Sequence, residues 1–147
     1  MAELKREDLQ CKVYPLGELK TYKYVVVCAF FQGKYLLSKH KERNTWETQG
    51  GHIEEGETPL VAAKRELFEE GGITDASIYP LCDYYGFNGE RHSNGMVFLA
   101  IVNSLSALPN FEMKEIKAFS QMPNNLTYPK VTPLLFEEAE KYFKSIS

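Results

Sequence analysis

Read for hydrophobic and polar positions alone, the chain falls into short apolar runs separated by polar punctuation. Tyr22 to Phe31 is dense in β-branched and aromatic residues, Gln32-Gly33 interrupts it, and Lys34 to Lys39 resumes with Tyr35, Leu36 and Leu37 at its centre. That pattern predicts a hairpin through the core. Ala76 to Phe87 and Met96 to Asn103 predict two further strands, the second almost continuously apolar from Val97 to Val102, with a polar turn from Asn88 to Gly95 between them. Ile116 to Phe119 reads as a short strand, and Pro123, Pro129 and Pro133 break up the stretch after it. Met1 to Lys20 is weakly patterned and predicts a loosely held lead-in or a short strand.

Two helices are signalled. Thr58 as N-cap and Pro59 at the first helical position open one, and Gly71-Gly72 close it. Thr132 and Pro133 open the other in the same way, with Leu135, Ala139, Tyr142, Phe143 and Ile146 at helical spacing, as a packing helix. The order of strands, helix, strands and helix fits a mixed sheet clasped between helices.

The first helix carries the chain's distinctive chemistry. Gly51 to Ile73 holds six glutamates, at 54, 55, 57, 66, 69 and 70, against Lys64 and Arg65, a net of −4 in a chain whose total is −3. At roughly 100° per residue, with Arg65 taken as zero, Glu69, Glu66 and Glu70 fall at roughly 40°, 100° and 140°. Leu60, Ala63 and Leu67 cluster beside that arc and Val61 and Phe68 lie on its far side, which predicts a helix packed on more than one flank. Like charges so placed repel, and a bound cation is the usual compensation. Oxygen donors without a His or Cys cluster point to Mg²⁺ or Mn²⁺.

Composition narrows the classes. The 147 residues are 44% hydrophobic and 25% charged, ordinary for one soluble globular domain spanning 1–147. A pI near 5.7 without a basic tract argues against a nucleic-acid polymer as partner and leaves a free nucleotide as the expected small-molecule ligand. Cys11, Cys28 and Cys82 are widely separated and read as reduced thiols of a cytoplasmic protein, Cys28 as a buried small residue. The first ten residues are too charged for a signal peptide, and the longest apolar run, Val25 to Phe31, is too short to span a membrane. His40, His52 and His92 read as loop histidines, and Trp46 serves core or substrate platform equally well.

The order Gly51, five residues, Glu57, seven residues, Arg65-Glu66-Leu67, one residue, Glu69-Glu70, one residue, Gly72-Ile73 resembles the Nudix box at every fixed position. The resemblance is tight from Trp46 to Ile73 and implies the Nudix α/β/α sandwich. By it, Glu66, Glu69 and Glu70 are expected to ligate a divalent metal with the Gly50 carbonyl, Arg65 to orient them, and Glu57 to support the loop. Trp46 to Gly50 resembles the short strand leading into the box, with Gln49 where a proline often stands, a change expected to loosen the loop slightly. Glu112, ahead of Glu115, is the candidate for a further metal-binding or base carboxylate from a distant loop. Arg43, in the basic stretch before the box, is the candidate for phosphate oxygens. Of the aromatics near the polar turn, Tyr84, Tyr85 and Phe87, the last two are the candidates to stack on a base.

The implied activity is Mg²⁺-dependent cleavage of a nucleoside triphosphate, including an oxidised one such as 8-oxo-dGTP, to monophosphate and pyrophosphate. By the resemblance Glu69 and Glu70 are expected as the principal ligands and Glu66 as ligand or base, with exchange of these roles left open. A second reading keeps the chemistry and takes ADP-ribose, a nucleotide sugar or a dinucleoside polyphosphate. A third, a nucleotide-sensing module that binds without cleaving, is disfavoured by the complete set of box acids. The isopentenyl diphosphate isomerase variant of the fold is disfavoured because Cys28 and Cys82 sit in predicted strands.

Overall fold

In the computed structural model, which describes residues 5–146, a short 3₁₀ turn at Arg6–Asp8 precedes β1 (Gln10–Tyr14), β2 (Tyr24–Phe31), β3 (Lys34–His40), β4 (Trp46–Glu47) and β5 (Gln49–His52). Helix α1 (Pro59–Gly71), β6 (Asp75–Asn88), β7 (Arg91–Ser104), β8 (Met113–Phe119) and α2 (Thr132–Ile146) follow. The eight strands form one sheet in the order β1-β6-β7-β2-β3-β4, with β5 pairing β2 and β8 pairing β3. β2 and β7 run parallel and the other pairs antiparallel, so the sheet is mixed.

The parallel pair is central because both strands are apolar on both faces, as a strand covered from two sides must be. Val25, Val27, Ala29, Phe98 and Ala100 face α1 and pack on its Ala62, Ala63 and Leu67. Cys28, Phe30, Val97 and Leu99 face the other way, onto Leu135, Phe136 and Ala139 of α2. The architecture is the expected α/β/α sandwich. Trp46 belongs to the second core, 5% exposed, with its ring 4.9 Å from that of Phe119. Cys28 and Cys82 are buried, Cys11 is partly so, and all three are free thiols. Among the described residues no helix is long and apolar enough to cross a membrane.

The structure refines several expectations. The lead-in supplies an edge strand, β1, paired to β6; Met1 to Leu4 lie outside the described residues, as does the side chain of Ile146. Gln32 and Gly33 both take positive φ, 53° and 76°, as a two-residue hairpin turn requires. The expected turn from Asn88 to Gly95 is instead mostly strand: β6 continues to Asn88, β7 starts at Arg91, and only Gly89-Glu90 turns. Phe87 pairs with His92 and Tyr85 with Asn94, so His92 is a strand residue. This end of the hairpin carries polar residues in strand geometry, which removes the apolar alternation that marks a strand in sequence. Thr132, expected as the cap of α2, is its first residue.

The expectation for the flanks of α1 is also corrected. Ala62, Ala63 and Leu67 are buried, but Val61 is 50% exposed and Phe68 45%. The helix lies on one face of the sheet only, and its far flank meets solvent.

Candidate active site

Helix α1 is built to deliver its acids at a fixed height above β5. Thr58 has extended backbone and its Oγ1 accepts the Val61 N–H at 3.2 Å, with Pro59 filling the position where no N–H is needed. At the far end Gly72 turns left-handed (φ 65°), its N–H reaching the Phe68 carbonyl at 2.8 Å while the Ile73 N–H reaches that of Leu67. Ser38 of β3 donates its hydroxyl to the Glu70 carbonyl at 2.8 Å, tying the last turn to the sheet.

Between these ends Arg65 organises the carboxylates. Its Nε and Nη2 grip both oxygens of Glu57 at 2.8 and 2.9 Å, and Nη2 also donates to the His52 carbonyl. Its Nη1 lies 2.7 Å from Glu66 Oε1 and 3.3 Å from Glu69 Oε2. One guanidinium thus spans the loop before the helix and two acids on it. The bonds from Arg65, with the Glu54 N–H, hold the Glu57 carboxyl down at about 2. Glu57 is the fastening of the loop.

Glu66 and Glu70 are in the opposite electrostatic condition. Glu66 is 7% exposed, and burial raises its pKa against the pull of Arg65. The enclosed carboxyl of Glu70 accepts the Gly50 N–H at 2.7 Å, yet burial, helped by the negative charges of Glu66, Glu47 and Glu112, pushes it up to about 9. Glu112, on the loop before β8, is largely exposed and lies 3.8 Å from His40 Nε2. Its charge reaches both Glu66 and Glu70.

Gly50, just before the box, and Gly51, its first residue, have separate tasks. A Cβ on Gly51 would stand 2.6 Å from Glu66 Oε1, so the space a side chain would take is filled by that carboxylate. A Cβ on Gly50 would run into the Val25 carbonyl of the neighbouring strand. Gln49 does not loosen this segment: it is fully buried in β5, and its Nε2 donates to Ser38 Oγ at 2.9 Å and to the Leu36 carbonyl.

Among the described residues, no three His, Cys, Asp or Glu side chains are drawn together tightly enough to enclose an ion. Arg65 engages Glu66 and Glu69, and Glu70 is turned to Gly50. The donor set nonetheless suits a hard divalent cation. It is all oxygen, it contains carboxyls whose charged forms are penalised as they stand, and Gly51, lacking a Cβ, lets the Glu66 carboxylate lie against the β5 backbone.

Beside the acids, the β5 backbone also walls a cavity of about 1090 Å³. Gly50, Gly51 and His52 form one side, Tyr24, Tyr84 and Tyr128 supply rings, and Lys5, Arg6, Lys23 and Arg91 contribute positive charge. Glu47, which sequence reasoning did not single out, is part of this wall. It pairs with Arg43, four residues earlier, at 3.2 and 3.3 Å, and accepts the hydroxyl of the distant Thr127 at 2.7 Å.

Arg43 is therefore committed to Glu47. Tyr85 and Phe87 point to the face of β6 opposite Tyr84, since neighbouring strand residues alternate, and neither lines the cavity. Tyr85 instead stacks on His92 at 5.6 Å and meets Phe87 at 6.0 Å, while Lys12 lies over Phe87.

A profile of the NUDIX domain matches residues 21–135 of this chain. The chain belongs to the Nudix family. YtkD of Bacillus subtilis, named provisionally as an 8-oxo-dGTP diphosphatase, is 30% identical over 118 residues, 80% of this chain and 74% of that one. An RNA pyrophosphohydrolase of Helicobacter pylori (strain G27) is 28% identical over 116 residues, covering 67% of this chain and 74% of its own. The crystal structure of the Bacillus subtilis pyrophosphohydrolase BsRppH superposes with a TM-score of 0.77 at 27% identity, covering 97% of this chain and 98% of that one. This Nudix protein is accordingly a hydrolase of phosphoanhydride bonds in nucleotide derivatives.

Proposed function

We infer that this Nudix hydrolase is a cytoplasmic, Mg²⁺-dependent pyrophosphohydrolase that converts a nucleoside triphosphate, including an oxidised guanine nucleotide, to its monophosphate and pyrophosphate. The observation that carries the reading is a shared wall. The backbone of Gly50 and Gly51, which meets Glu70 and Glu66, also bounds a cavity of a volume suited to one nucleotide. A polyphosphate lying along β5 would have its base in that cavity and its anhydride against the acids. The YtkD name supports the same substrate class.

The residues divide the work. Glu66, Glu69, Glu70 and the Gly50 carbonyl would hold the ion, with Glu112 as the carboxylate from a separate loop. Once bound, Mg²⁺ supplies neutralising charge to phosphate oxygens and acidifies a water. Arg65, fastened by Glu57, keeps Glu66 and Glu69 in fixed poses, which costs less than ordering them during the reaction. The open position of Glu112 suits it to take a proton from water and release it to solvent. The lysines and arginines at the cavity mouth would meet phosphate oxygens left uncovered.

That basic rim favours a second reading, the 5′-triphosphate end of an RNA, as the name of the Helicobacter pylori relative suggests. Phosphorus NMR of products from GTP, 8-oxo-dGTP, ADP-ribose, a dinucleoside polyphosphate and a 5′-triphosphorylated oligonucleotide tests both. Pyrophosphate and a nucleoside monophosphate from the free triphosphates are expected. Cleavage confined to the oligonucleotide would transfer the assignment to the second reading, and cleavage of ADP-ribose alone would overturn both.

A further inference from the structure

We propose that Glu47 is a specificity-determining residue of the cavity, a carboxylate that selects guanine by accepting its exocyclic amino group. The inference rests on the functional reading above and adds the identity of the base to it. Glu47 is 7% exposed, lies in the cavity wall, and is held from outside by Arg43 and Thr127. A buried carboxylate so fixed is expensive to desolvate, and these partners do not exhaust it. Among the described residues, Oε2 receives the Thr127 hydroxyl at 2.7 Å and Arg43 Nε at 3.3 Å, whereas Oε1 receives only Arg43 Nη2 at 3.2 Å. A carboxylate offers about four acceptor sites, so Oε1 retains one.

The surroundings define what can use it. Tyr24 and Tyr128 bring partly exposed aromatic rings to the same cavity, Tyr84 lies buried edge-on to Tyr24, and Tyr128 directly follows the residue that anchors Glu47. Flat, apolar-faced ligands with a polar edge suit such a lining. An ionised carboxylate is acceptor-only, so it favours an edge made of donors. Guanine presents N1–H and the 2-amino group side by side. Adenine places the N1 acceptor beside its amino group and repels the charge; hypoxanthine keeps N1–H but lacks the 2-amino group, so a base seated with position 2 against Oε1 leaves the one retained acceptor site unfilled. The arrangement also assigns Arg43 a role: through Nε and Nη2 it orients the reading carboxylate.

The test compares GTP with ITP, which differ only in that amino group, using the intact protein with Mg²⁺. Wild-type kcat/KM should favour GTP by about tenfold or more, the usual size for a contact between a donor and a charged acceptor. Glu47→Gln, which keeps the shape and removes the charge, should bring the ratio close to one. A wild-type ratio near one overturns the proposal without any variant being needed. So does a Glu47→Gln protein in which both substrates decline and the ratio persists, because that is the signature of a merely structural acid. Calorimetric binding of GMP and IMP reads the same subsite without turnover. A GMP preference in a protein that cleaves neither triphosphate would fault the proposed reaction and uphold the subsite, while equal affinities would overturn the subsite itself.

Discussion

The acids of α1 and the cavity behind β5 share a strand but are assembled in different ways. Glu57, Arg65, Glu66, Glu69 and Glu70 come from fourteen consecutive residues and are positioned by one helix, its caps and one guanidinium. The cavity draws Tyr24, Glu47, Tyr84, Arg91 and Tyr128 from five separate segments that only the finished sheet brings together. A locally encoded site keeps its geometry as long as its helix forms, and it is written in sequence spacing. A site assembled at long range depends on register and can change its ligand by substitutions far apart in the chain. The reaction type accordingly follows from the first region and substrate choice from the second.

The largest expected effect breaks the chemistry and leaves the fold. Glu70→Gln retains an acceptor for the Gly50 N–H and takes away the carboxyl that a cation would ionise and bind, at a position where burial already favours the neutral form, so kcat/KM should fall by about a thousandfold or more while the metal-free thermal midpoint holds. Steady-state kinetics beside thermal unfolding checks both halves, and a large loss of stability would contradict the account of this carboxyl. Arg65→Ala should follow, with kcat/KM lowered by about ten- to a hundredfold and the unfolding midpoint lowered as well, since Glu57 and Glu66 both lose their principal donor.

Gly51→Ala sharpens the comparison further because its added methyl meets a side chain, and Glu66 must move. Activity should fall by about tenfold, with Mg²⁺ half-saturation shifted upward and the midpoint little changed. Gly50→Ala meets the Val25 backbone instead and should cost stability first. The smallest effect lies on the helix's outer flank: Phe68→Ser should alter unfolding free energy by less than about 0.5 kcal/mol, since that ring is already 45% exposed.

The division between local and assembled features also explains what could be read beforehand. The strands β2, β3 and the middle of β7, the caps of α1 and the spacing of its acids follow from patterns confined to a few turns or a short run. The outer half of the β6–β7 hairpin did not show, because Asn88 to Gly95 is polar and only its pairing makes it a strand. Val61 and Phe68 suggested a packed flank because apolar side chains alone cannot report that no element lies above them. Gln49 suggested a looser loop where the fold seats it against Ser38 and Leu36. Glu47 was silent because its meaning comes from a pairing with Arg43, the distant Thr127 and a cavity that only the finished sheet closes.

The central claim is that the acids gathered on α1 and beside β5 use a divalent ion to break a phosphoanhydride. Phosphorus NMR of GTP incubated with the protein, while Mg²⁺ is titrated from zero, measures this directly. The account predicts no cleavage without the ion, saturable appearance of GMP and pyrophosphate with it, and loss of both products in Glu70→Gln. Hydrolysis that proceeds equally in the presence of excess chelator, or that survives Glu70→Gln at saturating Mg²⁺, would contradict it.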